Sequence, residues 1–213
     1  MKAHARSDCM RVDMPLLGRR GRLPGLRARS AGVAGLGFVA LALVLATAPS
    51  RASELELLSV GVRARVSEQT VLGEQQPESF RAYDVATTIG LPWQQPLSPT
   101  WAVGARLLAS AGVLQGAEKS SGVLSLIPLL ALHTQDGRFT LDIGAGLALL
   151  GRHRYAEQDF GGPLQAALTF GLAVPLYERM AVGYRFMHYS DGRAYGRDTT
   201  GADFHMVELI YRY

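Results

Sequence analysis

The sequence predicts an all-β fold: an eight-stranded antiparallel transmembrane β-barrel over 53–213, after an N-terminal signal peptide over 1–52 that is removed. Three observations predict it. Bulky apolar residues alternate with small or polar ones through most of the chain beyond residue 55. Breaks rich in Gly, Pro and Asp separate the alternating stretches. A charge-free apolar run follows a basic leader at the front.

The leader explains the charge. The chain has 213 residues and a formal net charge of +4, which suggests an acidic partner such as nucleic acid until the charges are located. Nine of the 22 basic residues and two of the 18 acidic ones lie in 1–52, so 53–213 carries 13 against 16, a net charge of −3. Residues 31–48 (AGVAGLGFVALALVLATA) carry no charge, and the small-residue context Ser50-Arg51-Ala52 suits cleavage near Ala52. Gly and Ala dilute the run, which favours a cleaved signal over a permanent anchor. The only cysteine, Cys9, leaves with the leader, so neither a disulfide framework nor a multi-cysteine metal site is available.

Strand periodicity is clearest in 163–176, where Leu164, Ala166, Leu168, Phe170, Leu172, Val174 and Leu176 face one way, and Gln165, Ala167, Thr169, Gly171 and Ala173 face the other. Segment 139–150 sets Leu141, Ile143, Leu147 and Leu149 against Thr140, Asp142, Gly144 and Gly146. Segments 101–113 and 81–91 alternate in the same way. With 57–66, 122–134, 180–190 and 203–213 the count is eight. The 122–134 stretch is the poorest, apolar on both faces with Pro128 inside it. Breaks fall at 67–79, 92–99, 115–121, 136–137, 152–162, 177–179 and 191–202. Short inner turns and longer outer loops are the habit of outer-membrane barrels, and only 92–99 is longer than that habit predicts for an inner turn.

An eight-stranded barrel has room inside only for its own side chains. The polar face carries Arg63, Arg65, Asp84, Arg106, Asp142, Arg185, Glu208 and Arg212, which predicts a lumen plugged by ion pairs. The greasy face then meets lipid, with Trp93, Trp101, Tyr177, Tyr211 and Tyr213 placed for an inner aromatic girdle. A soluble barrel would need the two faces exchanged, and the Gly and Ala of the polar face suit a crowded lumen better.

Four polar residues break the greasy face near the outer rim. Strand 180–190 points Val182, Tyr184, Phe186, His188 and Ser190 outward; the last strand points Asp203, His205, Val207 and Leu209 the same way. His188 and Ser190 lie about 6.6 Å apart along the strand, within hydrogen-bonding reach of their side chains. The hairpin brings Asp203 beside His188, directly or diagonally. An imidazole can take the proton of a serine attacking an ester carbonyl, and a carboxylate on its other nitrogen fixes the tautomer. The bland alternative is that polar residues at a wet rim cost only about 0–1 kcal/mol and sit among headgroups. His205 shares the patch, reads better as an interfacial histidine and could compete with Asp203 for His188. His153 and Arg154 read as solvated loop residues.

Segment 183–192 (GYRFMHYSDG), with the following loop and final strand, resembles the C-terminal hairpin of the lipid A 3-O-deacylase (PagL) family. That resemblance implies an eight-stranded outer-membrane barrel and a carboxylic ester hydrolase that remodels lipopolysaccharide by removing the 3-O-linked acyl chain of lipid A. It assigns the general base to His188, the nucleophile to Ser190 and the acidic partner to Asp203. It places the oxyanion near the backbone N–H groups of Asp191 and Gly192. Two residues depart from the family's pattern: Asp191 stands where Asn is usual, and Asp203 where the best-known members carry Glu. The implied partner is lipid A or lipopolysaccharide in the outer leaflet, with no cofactor, no metal and no nucleic acid; a homodimer is compatible with it. The alternative function is a non-catalytic structural or interaction barrel of the same membrane.

Overall fold

The computed structural model describes residues 55–72, 76–196 and 199–213. The expected signal peptide over 1–52 lies outside the described residues. The strands are β1 Glu56–Ser67, β2 Phe80–Pro96, β3 Trp101–Gly116, β4 Lys119–Thr134, β5 Thr140–Leu150, β8 Leu164–Tyr177, β9 Met180–Ser190 and β10 Ala202–Arg212. They close into one antiparallel barrel in the order β1-β10-β9-β8-β5-β4-β3-β2. A two-stranded ribbon, β6 Arg154–Tyr155 and β7 Gln158–Asp159, decorates the loop between β5 and β8. Closure leaves no unpaired edge, the condition for strands to cross hydrocarbon.

Two connections are tighter than the sequence predicts. The inner break at 92–99 is largely strand: β2 runs on to Pro96 through a register shift between Gly90 and Gln94. The turn that remains is closed by the N–H groups of Leu97 and Ser98 on the Trp101 carbonyl. The outer break at 115–121 shrinks to Ala117 and Glu118, both with positive φ (46° and 60°). Left-handed geometry at both central residues matches the twist of the flanking strands, so the hairpin accepts the strain of two non-glycine residues. Pro128 is absorbed into β4, where the ladder to β5 passes over Ile127 and Pro128.

Side-chain alternation divides the wall as expected. Val62, Val85, Leu124, Leu126, Ile143, Leu147, Leu168, Phe170, Val207 and Leu209 form an exposed greasy belt. At the short-turn end Tyr211 stacks edge-on to Tyr213 and Trp101 to Phe139, with Tyr177 exposed beside them.

The lumen is filled in two layers, of which the sequence predicts one. The ionic layer is a chain across five strands. Asp84 takes a two-pronged bond from Arg63, whose Nη1 lies 3.4 Å from Glu208 Oε1. Glu208 takes Arg185 Nε at 2.7 Å, and Arg185 grips Asp142 at 2.7 and 3.1 Å. Arg185 reaches Asp142 across β8 because the residue between them in register is Gly171, whose missing Cβ would lie in the guanidinium. The second layer is aromatic, at the long-loop end. Phe80 packs on Tyr155, Phe160 and Phe204, and Phe204 on Tyr189, with ring centroids 5.1–6.4 Å apart. Tyr155 and Phe160 are fully buried although they belong to the β5–β8 loop, which therefore folds over the mouth. Outside the membrane the Gly161 N–H, and then Arg154, hold the Asp159 carboxyl below the usual carboxylate range, fixing the base of this cap.

Removing one partner of a buried pair leaves the other charge unmatched and costs about 3–5 kcal/mol. Arg185→Met keeps an unbranched apolar stem about as far as Nε but removes the guanidinium, which orphans Asp142 and half of Glu208. Urea unfolding from lipid vesicles, followed by tryptophan fluorescence, is expected to show a loss of that size. An unchanged midpoint would remove the ionic layer from the account of stability.

Candidate active site

The penultimate strand keeps its parity. Its register against β10 runs without a shift from Met180 to Tyr189, and against β8 from Ala181 to Ser190. Lumen positions Ala181, Gly183, Arg185, Met187 and Tyr189 are buried, while Tyr184 between them is exposed on the outer wall. His188 and Ser190 therefore share the outward face of β9, opposite Leu168 and Ala166 of β8.

On the other side His188 sits directly across from Asp203, the closer of the two expected pairings. Its Nδ1 lies 2.6 Å from Asp203 Oδ1. The shortness of Asp relative to Glu is therefore no obstacle to reaching the imidazole. A proton on Nδ1 shared with the carboxylate leaves Nε2 as the basic nitrogen. Ser190 is half-buried and is not hydrogen-bonded to His188 in this state. Such contacts are often long in the absence of substrate and tighten when it binds.

Outward-facing does not mean bare. His188 and Asp203 are 8% and 0% exposed, although the same face lower on the strands meets lipid. The cover is the segment that follows β1. The backbone N–H groups of Val71 and Leu72 donate to Asp203 Oδ2 at 2.5 and 2.8 Å. Gln76 accepts the Asp203 N–H, and Arg65, its guanidinium 5.2 Å from the centre of the Phe204 ring, holds the carbonyls of Ser67 and Asp203. A carboxylate accepting two backbone N–H groups in addition to an imidazole is satisfied in a place where a bare charge would be costly. The donors come from the backbone, so no residue type in 67–79 signals them.

Two further residues shape the site without a sequence signal. Gln158, fully buried in the cap, donates to the carbonyls of Thr200 and Gly201, and Thr200 N–H returns a bond to Asp159. Gly201 is then held so close to the hairpin that a Cβ there would sit 2.8 Å from the Tyr189 carbonyl oxygen and 2.9 Å from His188 Cε1. Its requirement is close approach rather than an unusual dihedral.

Asp191 is turned into its own loop. Its carboxylate accepts the Arg193 N–H at 2.9 Å, the Tyr195 N–H at 3.1 Å and the Thr199 hydroxyl at 3.0 Å. Its charge is engaged by these three donors. Gly192 follows with φ 60° and open space where a Cβ would stand. His205 does not compete for His188: it bonds the Tyr184 hydroxyl and the Gln69 carbonyl instead. Arg154 is paired with Asp159, and His153 is exposed.

A closed eight-stranded barrel with a greasy outer wall and a filled lumen is an outer-membrane protein, and its polar groups of chemical interest lie on the wall. The profile of the lipid A 3-O-deacylase (PagL) family matches residues 81–212, and the chain belongs to that family. It is therefore an ester hydrolase of the outer membrane. The fold is similar to the crystal structure of the outer membrane enzyme PagL, with a TM-score of 0.58 and 16% identity, covering 72% of this chain and 98% of that one. No curated protein matches the sequence.

Gly201→Ala places a methyl group against the His188 ring. A displacement of about 1 Å at a reacting group can cost about 10²-fold in rate. The variant is expected to keep the heat-shifted gel migration of a folded barrel and lose at least about tenfold in deacylation rate. Full activity would show that Gly201 does not position the imidazole.

Proposed function

We propose that this chain hydrolyses the 3-O-linked acyl ester of lipid A through Ser190, His188 and Asp203. The observation that carries the reading is the His188–Asp203 contact on the outer wall, two residues from Ser190 on the same face. Ser190 Oγ attacks the ester carbonyl while His188 Nε2 takes its proton. Asp203 holds the imidazole and stabilises the imidazolium that forms. The backbone N–H groups of Asp191 and Gly192 receive the oxyanion, while the Asp191 carboxylate is turned toward Arg193 and Tyr195 of its own loop. Collapse breaks the bond to the sugar oxygen, which leaves with the proton from His188. Water, deprotonated by the same imidazole, then hydrolyses the acyl-Ser190 ester and releases the free fatty acid. No cofactor enters the sequence of steps.

The site opens sideways at the rim, so the substrate is an acyl ester already resident in the outer leaflet. Leu168, level with His188 on the neighbouring strand, and Phe170 below it are exposed and offer a greasy surface to its chain.

Mass spectrometry of lipid A from Gram-negative cells expressing the full chain tests this. The wild type is expected to shift lipid A down by one ester-linked acyl chain, and Ser190→Ala to leave it intact. Asp203→Asn favours the wrong imidazole tautomer and is expected to lower the rate on the order of 10³–10⁴-fold. Intact lipid A in cells holding folded wild-type barrel would contradict the proposal and favour a non-catalytic barrel.

A further inference from the structure

A second histidine stands beside the site and takes no part in the steps above. His205 follows Asp203 on the outward face of β10, is 8% exposed, and packs its ring against Phe186 with centroids 5.3 Å apart. Both ring nitrogens are engaged: Nδ1 lies 2.6 Å from the Tyr184 hydroxyl and Nε2 lies 2.8 Å from the Gln69 carbonyl oxygen. A carbonyl only accepts, so Nε2 carries a proton and donates to Gln69, while Nδ1 pairs with the Tyr184 hydroxyl. The ring is thereby held from both sides.

Gln69 belongs to the segment whose next residues, Val71 and Leu72, donate to Asp203 Oδ2. The chain from 69 to 72 is thus fastened to the outward face of β10 at two points two residues apart, His205 and Asp203. Arg65 holds the carbonyl of Ser67, and two longer bonds, Gln69 N–H to Ser67 Oγ at 3.2 Å and Gln76 N–H to Thr70 Oγ1 at 3.4 Å, tie the segment to itself rather than to β10. A carboxylate turns freely about its last bond, and which oxygen meets the imidazole depends on what holds the other. Here Val71 and Leu72 hold Oδ2, and His205 holds the segment that carries them.

We propose that His205 is a positioning residue for the deacylation: through Gln69 it fixes the segment 69–72, whose N–H groups aim the Asp203 carboxylate at His188. The assignment rests on the reaction proposed above. It commits His205 to acting through Asp203 and not on the substrate.

Purified full-length protein in vesicles containing lipid A separates the possibilities by steady-state kinetics. His205→Phe keeps the ring and loses both bonds; kcat is expected to fall about 10–100-fold while KM stays within about twofold. His205→Gln places an amide N–H toward Gln69 and is expected to recover most of the loss. In an Asp203→Ala background the same His205→Phe change is expected to cost less than about twofold, because groups acting through one another are not additive. Wild-type kcat in His205→Phe, or full multiplication of the two losses, would overturn the assignment. An inactive but folded wild type would instead contradict the reaction itself, and Ser190→Ala supplies its baseline.

Discussion

Crowding inside a closed eight-stranded cylinder governs everything else in this molecule. A barrel of this size has room for side chains and nothing more. The lumen is taken up by the ionic chain from Asp84 to Asp142 and by the aromatic layer around Phe80 and Phe204. A reactive serine and imidazole must then sit on the wall, looking toward the membrane. That placement carries its own cost, because a carboxylate cannot stand naked against hydrocarbon. The segment after β1 answers it, folding over the last hairpin and giving Asp203 two backbone N–H groups while removing it from solvent and lipid alike.

The long-loop end is accordingly a single device rather than three separate loops. The β5–β8 loop caps the lumen with Tyr155 and Phe160 and, through Gln158, holds the carbonyls of Thr200 and Gly201. Gly201 lies against His188, and the carboxylate of Asp191 holds Arg193 and Thr199 ahead of β10. Packing in the lumen and alignment on the wall are therefore coupled through the backbone ahead of β10.

Much of this is legible in the residue order, because a period of two is a local property. Alternation in 139–150 and 163–176 assigns the residues of β5, and those of β8 up to the register shift after Pro175, to a face without knowledge of their neighbours. The same parity places His188, Ser190 and Asp203 on one side of the wall. What is not legible depends on contacts between distant segments. The break at 92–99 reads as a loop because a register shift lets strand continue through Pro92 and Pro96. The aromatic layer is hidden because Tyr155 and Phe160 sit in a stretch without periodicity. The donors to Asp203 are main-chain groups, which carry no residue signature. Asp191 looks adverse by residue type, and only its bonds to Arg193, Tyr195 and Thr199 show where its charge is engaged.

The central claim is that one outward-facing hydroxyl on β9 is made nucleophilic by the imidazole two residues before it. A lipophilic fluorophosphonate, added to vesicles holding the folded barrel, reports this directly, since it phosphonylates only an activated serine. Peptide mass spectrometry is expected to find the adduct on Ser190, and to find none when His188 is replaced by Ala. Modification of a different serine, or labelling of Ser190 that is indifferent to His188, would contradict the account.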